Sequence, residues 1–110
     1  MAVPFYDNCD PLDDPATADV DRVYCLDWHR FGQTEWATLE RVYRALPGWQ
    51  EECRDEPFWF GMDDADIPHL WASVEPSGLQ VGGVLPAADW IDWVSQFEAG
   101  IAELPSFSCG

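Results

Sequence analysis

Leu70-Trp71-Ala72-Ser73-Val74-Glu75-Pro76-Ser77-Gly78-Leu79-Gln80-Val81-Gly82-Gly83-Val84-Leu85 is the stretch that decides the fold. Two alternating runs flank a Pro-Ser-Gly turn. Proline pre-sets its φ and glycine tolerates a positive one, so the pattern predicts a β-hairpin. Leu70, Ala72 and Val74 oppose Trp71, Ser73 and Glu75 on the first strand. Leu79, Val81, Gly83 and Leu85 oppose Gln80, Gly82 and Val84 on the second. That alternation is the antiparallel kind, with one face on a core. Gly82-Gly83 marks a bulge or the close approach of a bulky Trp.

Outward from the hairpin, a helix follows Pro86. Trp90, Val94, Phe97, Ile101 and Leu104 recur at helical spacing, widened by Trp93, until Pro105 ends the run. Upstream, Phe58-Trp59-Phe60-Gly61-Met62 reads as an aromatic strand started by Pro57. It feeds the acidic loop Asp63-Asp64-Ala65-Asp66. Before it, Trp36, Leu39, Val42, Tyr43 and Leu46 form the stripe of another helix, with Thr34 as N-cap and Pro47-Gly48 as terminator. Val23–Trp28 reads as the first strand. Residues 1–21 alternate Asp with Pro and read as an irregular acidic arm. The expected fold is α+β: one domain over residues 1–110, element order β-α-β-β-β-α, a single antiparallel sheet of about four strands, and both helices on one face.

Charge carries most of the functional information. The 110 residues hold 21 Asp plus Glu against five Arg and no Lys, a formal net charge of −16. From Asp55 onward there is neither Lys nor Arg. Apolar residues make up 47%, including seven Trp, so the acidity belongs to a chain that can bury a core. Nucleic acids and anionic membranes need cationic patches and are excluded as partners. No apolar run is long enough for a transmembrane helix, and the first residues lack the pattern of a signal peptide. The expected location is the cytoplasm. There Cys9, Cys25, Cys53 and Cys109 would be free thiols; in an oxidising compartment two disulfides could form, with three pairings open.

Catalytic motifs are not found. Cys25 and His29, with Cys53 and His69, could supply a Cys₂His₂ set, but no C-x₂-C pair exists. In a strand, positions four apart are also more than ~12 Å apart. Asp27 neighbours His29, yet no G-x-S-x-G frame surrounds a serine. Paired carboxylates are too abundant to single out a glycosidase-like pair. Gly82-Gly83 is no phosphate loop. No cofactor or metal is expected.

What remains is recognition, with aromatics as anchors and acids to steer a basic partner. The candidate partner-binding residues are Trp59, Asp63, Asp64, Asp66, Trp71 and Glu75. In overall profile the chain resembles small acidic bacterial immunity proteins that neutralise polymorphic or contact-delivered toxins. The profile consists of small size, strong acidity, many Trp, the β-α-β-β-β-α order and the run His69–Leu79. The resemblance implies a non-enzymatic inhibitor of a basic toxin, and, where the toxin is a nuclease, an acidic face that plugs its catalytic cleft. Two other readings stand beside it: a DNA-mimic inhibitor of a DNA-binding protein, whose carboxylates imitate phosphate spacing, and a small enzyme or metal protein. Exposed Trp would also serve a homodimer.

Overall fold

The structure, a computed structural model, describes residues 2–51, 56–62 and 67–109. Its hairpin is the one the alternation predicts. β4 (His69–Glu75) and β5 (Gly78–Pro86) pair antiparallel across Pro76-Ser77. Gly83, at φ +148, would press a Cβ against the β4 backbone. The ring of Trp71 lies directly over Gly82, where no side chain fits. That is the close approach the glycine pair foreshadowed.

The sheet has five strands, not four, in the spatial order β1-β2-β5-β4-β3, with every neighbouring pair antiparallel. The additional strand comes from the arm expected to be irregular. β1 is Phe5–Asp7, and β2 is Thr17–Tyr24, paired along its whole length with β5. Within Ala18-Asp19-Val20-Asp21, the Asp residues occupy every second position, so Ala18 and Val20 are buried while Asp19 stays exposed. Alternation of period two overrides the turn preference of Asp when that residue sits on the outer face. The expected Val23–Trp28 strand therefore starts earlier and stops at Tyr24. Asp27 instead accepts from the His29 N–H and caps a short 3₁₀ turn, Trp28–Arg30.

α1 spans Gln33–Ala45. It starts at Gly32 rather than Thr34, with the Glu35 carboxylate accepting from the Gly32 N–H at 2.7 Å. The aromatic strand is shorter than expected. β3 is only Phe58–Trp59, because Phe60 turns into the left-handed region at φ +70 and donates its N–H to Gly48 C=O. α2 spans Ala87–Ile101, on the predicted stripe.

Both helices contribute to one core on one face of the sheet. Ala18, Val20 and Tyr24 of β2, Leu79, Val81 and Leu85 of β5, and Leu70 and Ala72 of β4 meet Leu39 of α1 and Trp90, Trp93, Phe97 and Ile101 of α2. Trp59 packs edge-on to Trp93, which stacks on Phe97. The opposite face carries Asp19, Asp21, Gln80, Trp71 and Glu75, and no helix among the described residues covers it.

Cys25 is not a free thiol. It is disulfide-bonded to Cys109, with Cα atoms 6.0 Å apart. The tail is already placed beside it by backbone bonds: Phe107 N–H donates to Cys25 C=O, and Asp27 N–H to Pro105 C=O. Cys9 is free and exposed. Among the described residues, no helix is long and apolar enough to cross a membrane.

Candidate functional site: an acid-rimmed groove at the open edge of the sheet

Strand lengths create the site. β4 has seven residues and its outer neighbour β3 has two. The ladder between them covers Phe58↔Trp71 and Trp59↔Leu70, and one more bond runs from Ala72 N–H to Pro57 C=O at 3.3 Å. Proline has no N–H to return, so the Ala72 C=O receives nothing from Pro57. Backbone groups two residues apart on a strand point to the same side. The N–H and C=O of Val74 therefore face outward like those of Ala72, past the end of β3. Among the described residues, no partner meets them there.

This open edge forms one wall and part of the floor of a groove of about 780 Å³. The other wall is α1, through Trp36, Leu39, Glu40, Tyr43 and Arg44, and Trp49 with Glu51 closes the far side. Val74 lies on the core face of the sheet, yet it is 52% exposed because α1 does not reach over it. Trp36, at the start of the α1 stripe, is 42% exposed. Its ring is not loose. It stacks on Trp28 at 5.2 Å, Phe31 meets both rings edge-on, and the Trp28 indole donates to Glu75 C=O at 2.7 Å.

Among the described residues, Glu40, Glu51 and Glu56 line this groove together with one cation, Arg44. Arg44 bonds Glu51 at 2.5 Å and Glu40 at 3.3 Å. The Trp49 indole N–H also bonds Glu51, and these two donors hold its carboxyl below the usual range, with the indole the larger influence. Arg44 is raised in turn, first by Glu51. Glu51 is therefore held as a carboxylate, and Arg44 is already committed to it and to Glu40. Burial pushes the Tyr43 phenol well up, so it lines the groove as a neutral group.

The three sequence-predicted residues that are described, Trp59, Trp71 and Glu75, do not gather into one patch. Trp59 has no accessible surface, and its indole donates to Tyr43 C=O at 3.1 Å; it is a core residue, not an interface anchor. Trp71 and Glu75 lie on the opposite face from the groove, Trp71 spread over Gly82 and Glu75 accepting from the Ser73 hydroxyl at 2.6 Å. Asp63, Asp64 and Asp66 lie outside the described residues. Trp36 and Val74, which the sequence assigns to the core, are the apolar surface of the groove. The signal that could have found them was Pro57, which starts β3 and cannot extend its ladder.

Among the described residues, the pairings considered for Cys25, Asp27 and His29 do not form a catalytic set. Cys25 is held in a disulfide, Asp27 caps the 3₁₀ turn, and His69 is buried in β4. Among the described residues, no cluster of three or more His, Cys, Asp or Glu is arranged to hold a metal ion. Comparison of the chain with protein families, with characterised proteins and with solved structures finds no match.

Proposed function

We propose that the protein is a non-enzymatic binding protein that neutralises a basic partner protein, and that this partner is a cognate bacterial toxin. The carrying observation is a groove with exposed apolar surface at Trp36 and Val74, lined among the described residues by three glutamates and by an arginine that is already paired. The wider surface supports it. Arg22 is enclosed by Asp7 and Glu98, and Arg44 by Glu40 and Glu51, so two of the five cations are spent internally while the net charge stays at −16. A field of that sign steers a basic protein toward the surface, and exposed aromatic and aliphatic side chains then hold it.

The cytoplasmic location expected from the sequence and the Cys25–Cys109 bond pull in opposite directions, because disulfides persist in oxidising compartments. A thiol count on protein isolated from its own cell decides between them.

The test is coexpression with any toxin-like basic protein encoded next to it. A complex should form at low salt, weaken steeply as salt rises, and abolish the partner's toxicity. Absence of a complex at low salt refutes the reading.

A further inference from the structure

The groove has backbone groups to satisfy as well as apolar surface to cover. We infer that the partner enters as an extended strand, adding to the outer edge of β4 beyond Pro57, with apolar side chains on Val74 and Trp36 and basic side chains on the acidic rim. This rests on the reading of the protein as a binder of basic partners and specifies how it binds.

Three observations converge on a strand. Ala72 C=O, Val74 N–H and Val74 C=O all face the same side, where no partner meets them among the described residues, and this is the repeat a β-ladder reads. The groove is bounded by this edge and by α1, so an inserted chain is held from both sides. A strand whose side chains alternate presents one row to the floor and the other to the rim. Trp36, Leu39 and Val74 give the groove its apolar surface and Glu40, Glu51 and Glu56 its charge, so the complementary strand alternates apolar with Lys or Arg. A helix would cover the same apolar surface but leave the three backbone groups unmet, at a cost once they are desolvated. A second copy of this chain would bring another −16 to the same edge.

The probe is a synthetic peptide, acetyl-(Lys-Val)₃-Lys-amide, titrated calorimetrically at low salt. Two comparators are the same peptide with every internal nitrogen methylated and a Lys-Ser version of equal charge. The protein variant is Val74→Pro. It deletes an outward N–H that the β4–β5 ladder does not use, at an edge position where proline is tolerated. The expected result is binding to the wild-type protein that falls at least tenfold for Val74→Pro and for the methylated peptide, and severalfold for Lys-Ser, with wild-type amide shifts centred on Ala72–Val74. Should Val74→Pro not fold, the methylated peptide alone carries the comparison. Equal binding of all peptides would show charge attraction without strand addition and overturn the inference, as would no binding of the Lys-Val peptide. In either case a salt-sensitive complex with the neighbour-encoded protein would leave the broader function standing. A concentration-dependent dimer that Val74→Pro dissociates would assign the edge to a second copy instead.

Discussion

Arg22 offers the sharpest test of what holds this acidic chain together. It lies on β2 with its side chain turned to the core face and only 10% exposed. Its guanidinium forks onto Asp7 at 2.7 and 3.1 Å, donates to Glu98 at 3.0 Å, and sits 3.8 Å from the centre of the Phe5 ring. Tyr24 completes the cluster by donating to Glu98 at 2.7 Å. One cation thus joins β1, β2 and α2. Arg22→Met keeps much of the bulk but leaves two carboxylates facing each other. Removing one partner of a buried ion pair costs about 3–5 kcal/mol. The Asp7 and Glu98 side chains are 27% and 36% exposed, so water relieves part of this. The expected loss is about 2–3 kcal/mol, set against a total near 5–15 kcal/mol for a domain of this kind. Urea unfolding followed by tryptophan fluorescence should show the midpoint fall by roughly 1–3 M at unchanged slope. The triple variant Arg22→Met, Asp7→Asn, Glu98→Gln should recover more than half of the loss, because no unpaired charge remains. A single-variant cost below about 1 kcal/mol, or a triple variant no better than the single, would refute the view that Arg22 acts by neutralising these carboxylates.

Other expectations follow from the same contacts. Denatured, unreduced protein should show no more than two reactive thiols out of four cysteines, and Cys25→Ser with Cys109→Ser should cost about 2–4 kcal/mol, since the bond closes a loop spanning 84 residues; four thiols would deny the bond. Burial raises the phenol pKa of both Tyr24 and Tyr43 above that of a free tyrosine, with a Glu98 hydrogen bond adding to the effect at Tyr24. A raised folded-state pKa means that the unfolded chain loses its proton first. Stability is therefore intact below the ordinary tyrosine value of ~10 and falls above it, by about 1.4 kcal/mol per pH unit for each of the two; their phenolate absorbance should appear only together with unfolding, and reversible ionisation of all three tyrosines in folded protein would contradict this. Added NaCl should raise the melting temperature, because it screens the self-repulsion of a −16 chain more than it weakens the enclosed Arg22 pairs; a fall would mean that the ion pairs outweigh the repulsion.

The hairpin and α2 were legible because packing and periodicity agree there: Leu70, Ala72, Leu79, Val81 and Leu85 are all buried, as are Trp90, Phe97 and Ile101. β2 was partly hidden because Asp19 and Asp21 suggest turns, and only the intervening Ala18 and Val20 reveal the strand. The disulfide partner of Cys25 was illegible, since the pairing depends on Pro105 and Phe107 bringing the tail back to the end of β2, a tertiary event with no local signature. The site failed for a related reason. Hydrophobic periodicity says which face of an element is apolar but not whether another element reaches far enough to cover it. Trp36 and Val74 obey the core pattern of α1 and β4, and both stand where the partner element has run out.

That shortfall in cover has a specific origin in Pro57. A proline can open an edge strand, because its missing N–H then faces away from the ladder or lies at its end. Here it immediately precedes β3, and Phe60 turns off directly after Trp59, so the strand is only two residues long. Pro57→Ala restores one N–H opposite Ala72 C=O and so removes one of the three open groups. If the open edge is the binding element, this substitution should stabilise the fold slightly and weaken uptake of the Lys-Val peptide. If the groove binds by charge alone, peptide affinity should not change, because Glu40, Glu51 and Glu56 are untouched.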